Sequence, residues 1–137
     1  MFILILQIIL VYIASCVFHE IGHSEIASYL GDNTAKHQGR SSFNPFKHLT
    51  LSGFRKVPIR LLNNNDLLLV SIAGILANLT LVFLAVLFVM VQEFRIFYII
   101  IWVNVILVIV NVIPIRLNGI TSDGYKIMKY VKNYLRG

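Results

Sequence analysis

Three long apolar segments dominate this sequence and limit the folds open to it. Residues 67–91 contain 25 consecutive residues without a charge, and residues 1–18 and 96–115 are also uncharged. As a helix, each segment is about long enough to cross a hydrocarbon layer of roughly 30 Å. Because backbone groups in lipid must be hydrogen-bonded within the chain, helices are the default solution. The sequence therefore predicts an all-α integral membrane protein with three transmembrane helices.

Turn and capping residues set the expected ends of these helices. The first helix should continue through residues 19–30 and end at Gly31, since glycine commonly follows a helix end. The sequence NNND at residues 63–66 supplies caps for the second helix. The third helix is stopped by Pro114. We expect one membrane-embedded domain spanning residues 1–137.

The charge distribution indicates a lipid partner and predicts an orientation. Only 13% of the residues are charged, against about a quarter in soluble domains. The net charge of +6 comes from Lys and Arg between the apolar segments, which favours a lipid bilayer over nucleic acid as the partner. Such residues are enriched on the cytoplasmic side, so we expect residues 32–65 and the C-terminus there, and the N-terminus outside. Residues 1–18 lack the basic start and cleavage site of a signal peptide, so we expect them in the mature protein.

Two smaller elements are predicted in the polar segments. Four apolar or aromatic residues near the C-terminus recur at helical spacing: Ile127, Tyr130, Val131 and Tyr134. The lysines of this segment lie mostly on the opposite face. Residues 124–135 should therefore form a basic amphipathic helix on the inner membrane surface. In the first polar loop, residues 37–43 and 49–54 are candidates for a small β-hairpin.

The sequence HEIGH at residues 19–23 contains the residues best suited to metal binding and catalysis. On a helix, residues i and i+4 share a face, so His19 and His23 can present ring nitrogens to one metal ion. Glu20 can then act as general base on a metal-activated water molecule. Zinc suits the site, because imidazole is one of its preferred ligands. Ionisable residues beside a membrane segment are costly, which favours a functional site over chance.

A catalytic zinc site usually has three protein ligands and one open position, so a third donor is needed. Glu93 should lie on the opposite side of the membrane, and Glu25 points to a different face of the helix from His23. Asp66 is placed as a helix cap and Asp32 as a loop residue. Asp123 follows the third helix, on the side of the membrane expected for HEIGH. Pro114 and Gly119 allow the chain to turn back toward it. His37 and His48 in the first loop are alternative ligands.

Three asparagines lie within the apolar helices: Asn78, Asn104 and Asn111. Buried amides often hydrogen-bond between membrane helices, and this role is sufficient for Asn104. Asn111 is nearer the predicted metal end, where it is a candidate to polarise a substrate carbonyl or to orient the break at Pro114. Asn78 follows small residues that permit close helix contact, and it too is a candidate catalytic residue.

Four segments, in order, match the motifs of one protease family. They are FHEIGHSEIA, GRSSFNPFKHLTLSGF, AGILANLTL and NVILVIVNVIPIRLNGITSDG. They resemble, respectively, the His-Glu-x-x-His helix, an Asn-Pro-x-x-His-x-x-x-x-Gly loop, a Gly-Pro-x-x-Asn helix and a segment closing in Leu-Asp-Gly of the site-2 proteases. Ile75 and Ser122 replace the proline and leucine of that pattern, and the stretch from Asn111 to Asp123 is a few residues longer.

The resemblance implies an intramembrane zinc metalloprotease in which His19, His23 and Asp123 bind zinc and Glu20 is the base. Its substrate would be a membrane-embedded protein or small peptide precursor, cut near the cytoplasmic face of a prokaryotic cell membrane. An alternative is a non-proteolytic immunity or assembly subunit with a structural metal site. An ion carrier would need polar residues spread through the bilayer, whereas here they cluster at one side.

Overall fold

The computed structural model describes residues 1–37, Ser42, Asn44, residues 62–117 and residues 119–136. In chain order its elements are α1 Phe2–Tyr29, α2 Thr34–His37, α3 Asn64–Val91, α4 Arg95–Val112, β1 Arg116–Leu117, β2 Ile120–Thr121 and α5 Asp123–Tyr134. Helices α1, α3 and α4 are long and apolar enough to cross a membrane. The predicted helical membrane architecture is confirmed to that extent.

The helix ends follow local chemistry. Helix α1 is followed by Gly31 in a left-handed conformation, with φ of 96°, as the glycine signal predicts. Helix α3 begins with a capping box, in which the Asn63 side chain accepts from the Asp66 backbone N–H at 2.9 Å. Helix α4 ends at Val112, slightly before the predicted end. The backbone is already extended at Ile113, because a residue that precedes proline disfavours the helical conformation.

Helix α3 is the centre of the bundle, since it packs against α1, α4 and α5. The helices bury small and polar side chains and expose large apolar ones. Ser15, Ser24, Asn78 and Asn104 are each at most 2% exposed, whereas Trp102 is 67% exposed. Without a hydrophobic drive between membrane helices, small residues and amides form their contacts.

A short antiparallel hairpin of β1 and β2, absent from the sequence predictions, connects α4 to α5. Leu117 pairs with Ile120, and Gly119 in the turn has φ of 86°. Asn-Gly between two strands is the common signal for a two-residue turn, so the sequence did contain a clue. The hairpin predicted over residues 37–43 and 49–54 falls largely outside the described residues.

Helix α5 has the predicted amphipathic character and also packs on α3. Ile127 and Tyr130 are half-buried, whereas Lys129 and Lys132 are exposed. Its position on the inner membrane surface stays a prediction. The packing matters for the site, because it carries the N-terminus of α5, and with it Asp123, toward α1.

Candidate metal centre

Three side-chain atoms from distant parts of the chain converge at one end of the bundle. His19 Nε2 lies 2.9 Å from Asp123 Oδ2, and His23 Nε2 lies 3.1 Å from the same oxygen. The two Nε2 atoms are 3.1 Å apart. These residues form a group of side chains able to hold one metal ion, and they are the three ligands predicted from the sequence.

Two glycines allow the histidines to approach α3. A Cβ on Gly74 would lie 2.6 Å from His23 Cε1 and 2.7 Å from His19 Cε1, so any side chain there would displace both rings. A Cβ on Gly22, between the histidines in sequence, would lie 2.8 Å from the Ala73 carbonyl oxygen. The glycines therefore let α1 and α3 pack backbone to backbone with the imidazoles between them.

Asp123 is fixed by the start of α5. The hydroxyl of Ser122, the N-cap residue, accepts from the Tyr125 backbone N–H at 3.2 Å and donates to the Ile113 carbonyl oxygen at 2.7 Å. A Cβ on Gly124 would collide with the Val112 carbonyl oxygen, so the two helix ends are in direct contact. Serine at position 122 thus joins the start of α5 to the residue that follows α4, which fixes the position of Asp123.

A second layer of contacts orients two of the three ligands. The Nδ1–H of His23 donates to the Val70 carbonyl oxygen at 2.6 Å, which leaves the Nε2 lone pair of a neutral ring facing the site. Lys126 donates to the other oxygen of Asp123 at 2.7 Å. Burial raises the pKa of Asp123, but the two histidines and the Lys126 ammonium outweigh burial and hold the pKa far below its usual range.

The donor set fits a zinc ion. Each Nε2 carries at most one proton and an ionised carboxylate carries none, so at most two of the three short contacts are hydrogen bonds. A shared cation would satisfy all three atoms. Zinc bonds of about 2.0–2.2 Å in tetrahedral geometry separate ligand atoms by about 3.3 Å. The observed separations are only a few tenths of an ångström shorter, and three ligands leave a fourth position open.

Comparison with curated proteins supports this chemistry. Over a 151-residue alignment the chain is 32% identical to the protein named "Putative zinc metalloprotease YwhC" of Bacillus subtilis (strain 168), covering 89% of this chain and 67% of that protein. The chain belongs to the YwhC family. No family model matches the sequence, and no solved structure matches it.

In this member of the YwhC family, the predicted base Glu20 is half-buried beside the ligand His19. Within the described ranges, no residue forms an ion pair with it. Its role as a base stays a prediction.

The three asparagines differ in their surroundings. Asn104 Nδ2 donates to Ser15 Oγ on α1 at 2.9 Å, which is the interhelical role expected for it. Asn111 Nδ2 donates to the Leu107 carbonyl oxygen of its own helix at 2.9 Å. Asn78 is fully buried and neither of its amide atoms has a partner among the described residues. The catalytic roles of Asn78 and Asn111 stay predictions.

Sequence reasoning missed two supporting groups of the metal centre. Lys126 follows Asp123 by three positions on one helix, a spacing that places side chains together and that was readable in the sequence. The Val70 carbonyl left no such signal, because a backbone atom gains this role only through tertiary packing. Of the alternative ligands, His48 lies outside the described residues, and His37 belongs to α2.

Proposed function

We propose that this chain is an intramembrane zinc metalloprotease of the site-2 type with one zinc ion per chain. It would hydrolyse a peptide bond in a membrane-embedded protein or small peptide. The observation that carries the proposal is the convergence of His19 Nε2, His23 Nε2 and Asp123 Oδ2 at the end of a bundle of membrane-length helices.

The chain's own residues divide the chemical work. When bound, zinc supplies a Lewis acid that polarises the scissile carbonyl and lowers the pKa of a water molecule. His19, His23 and Asp123 hold the ion. Glu20 takes the proton from the attacking water oxygen as the bond to the carbonyl carbon forms. It then gives that proton to the amine nitrogen as the carbon–nitrogen bond breaks.

The position of the ligands along α1 supports a reaction near a membrane surface. Eighteen residues precede His19 in the chain. As a helix they span about 27 Å. With the predicted orientation this is the cytoplasmic edge, where water is available. A substrate helix must unwind there to expose its peptide bond, and Asn111 is then a candidate hydrogen-bond donor to the carbonyl oxygen.

The test compares wild type with Glu20→Gln in detergent, using a panel of membrane-spanning peptides and measuring bound zinc in each protein. Glu25→Gln is the matched control, because Glu25 is an exposed carboxylate on the same helix. We expect cleavage by wild type and Glu25→Gln. Glu20→Gln should lose about 10²–10⁴-fold in rate while retaining zinc.

Three results would contradict the proposal. Zinc in every protein without cleavage of any peptide would favour the non-proteolytic reading, in which the metal is structural. Undiminished cleavage by Glu20→Gln would remove Glu20 from the reaction. Absence of zinc from the freshly purified wild type would contradict the metal centre itself.

A further inference from the structure

Five buried side-chain atoms have no hydrogen-bond partner in the described part of the chain. One is Gln7 Oε1, and the other four are His19 Nδ1, both amide atoms of Asn78, and Asn104 Oδ1. Asn78 and Asn104 are each 0% exposed. Buried polar groups are rarely left unpaired, because the hydrogen bonds lost to water are then not replaced. His19 is a proposed metal ligand, so the unpaired nitrogen of its ring calls for an explanation.

His19, Asn78 and Asn104 belong to three different helices, α1, α3 and α4. His19 Cε1, which is bonded to Nδ1, touches the position of a Cβ on Gly74 at 2.7 Å. Asn78 lies one turn further along α3, and side chains on a helix tilt toward its N-terminus, so its amide leans back toward Gly74. Asn104 is fastened to Ser15, one turn before His19 on α1. Asn78 is thus one turn from a contact of His19, and the Asn104–Ser15 pair is one turn from His19 itself.

We propose that Asn78 is a positioning residue for His19 and acts through one buried water molecule. The water accepts from the Nδ1–H of His19 and donates to Asn78 Oδ1 and to Asn104 Oδ1. Three polar partners are typical of a buried water. The arrangement keeps the proton on Nδ1, so that the Nε2 lone pair is available to a metal ion shared with His23 and Asp123.

This inference rests on the metal centre of the proposed function and completes its second layer. The Val70 carbonyl already holds His23 in the corresponding tautomer, and Lys126 holds Asp123. His19 is the ligand for which no such partner is seen among the described residues. Partners of this kind typically change metal affinity by about 10–100-fold when removed.

The experiment measures zinc affinity, by competition with a fluorescent chelator, for wild type, Asn78→Leu and Ser71→Ala. Leucine has the same branched shape as asparagine but cannot hydrogen-bond. Ser71 is a buried hydroxyl on the same helix that donates to its own Leu67 carbonyl. We expect a 10–100-fold weaker affinity in Asn78→Leu, and a value within threefold of wild type in Ser71→Ala.

A second readout uses zinc-loaded protein with ¹⁵N-labelled histidine, in which a neutral His19 that binds zinc through Nε2 carries its proton on Nδ1, and it follows the exchange of that proton with water. We expect a slowly exchanging Nδ1–H in wild type and faster exchange in Asn78→Leu. Unchanged zinc affinity and unchanged proton exchange in Asn78→Leu would overturn the proposal, as would an equal loss in Ser71→Ala. If wild type bound zinc but cleaved no peptide, the proposed function would fail while zinc affinity and proton exchange still tested Asn78.

Discussion

The two halves of α1 have opposite surroundings, although they form one continuous helix. From residue 1 to residue 10 every side chain is exposed except the half-buried Gln7, and nearly all are large and apolar. In the second half the buried residues are Ser15, Val17, His19, Ser24 and Ala27. The exposed half is suited to lipid, and the buried half to contact with α3 and α4.

The difference shows what burial means in such a protein. Apolar side chains gain little by leaving lipid for a protein interior, so the first half needs no partner. Polar and ionisable groups are costly in lipid, so the second half is buried and joined to other helices. In this bundle the buried residues are those of the site and of the helix contacts, and not the most hydrophobic ones. Substitutions in the two halves of α1 should therefore differ in their effects on zinc binding and stability.

The largest effect should follow from removing a ligand at the buried end. Asp123→Ala leaves two imidazoles and no anionic donor, so we expect loss of bound zinc and of peptide cleavage. Zinc content after purification and cleavage of membrane peptides would measure this. His37→Ala and His48→Ala are controls, and if either of these lost zinc instead, the ligand set would be wrong.

Gly74→Ala should have the next largest effect. The added methyl group would collide with both imidazole rings, so the rings or the helices must move apart. We expect zinc affinity to fall by at least about tenfold and α1–α3 packing to weaken. Leu76→Ala, on the exposed side of the same helix, should keep wild-type affinity in the same chelator titration.

Lys126→Met should have a moderate effect. It removes the ammonium group that binds the outer oxygen of Asp123, which leaves the carboxylate less firmly oriented. We expect about tenfold weaker zinc binding, with recovery in Lys126→Arg. An equal effect of Lys129→Met, which alters an exposed lysine of the same helix, would show that only the net charge matters.

The smallest effect is expected at the lipid-facing end. Leu4→Ala shortens an exposed side chain and opens no cavity within the described bundle. Zinc affinity and the thermal unfolding midpoint in detergent should stay near wild type. A large fall in either quantity would mean that this end of α1 is covered by protein, and the contrast between the halves would disappear.

Much of the fold was predictable because its signals are local. Uncharged runs predicted the three long helices, Gly31 the end of α1, and Asn63 with Asp66 the start of α3. The hairpin at residues 116–121 was missed although Asn-Gly stands at its turn. Its strands are only two residues long, too short to show the alternation by which strands are recognised.

The metal centre likewise contains residues that local spacing predicts and residues that only packing brings together. His19 and His23 were predictable because helical spacing alone puts them on one face, and Glu20 because of its place between them. Asp123 is 100 residues from His23, so its choice rested on elimination and on family resemblance. The backbone carbonyl of Val70 had no sequence signal.

By itself the sequence determined the helices, their lengths and a two-histidine face, since each depends on neighbours along the chain. Only the tertiary structure decided that Asp123 meets these histidines, that Gly74 makes room for them, and that Asn78 is buried beside them without a partner. These contacts depend on how α1, α3 and α5 pack, and packing joins residues whose separation along the chain carries no periodic signal.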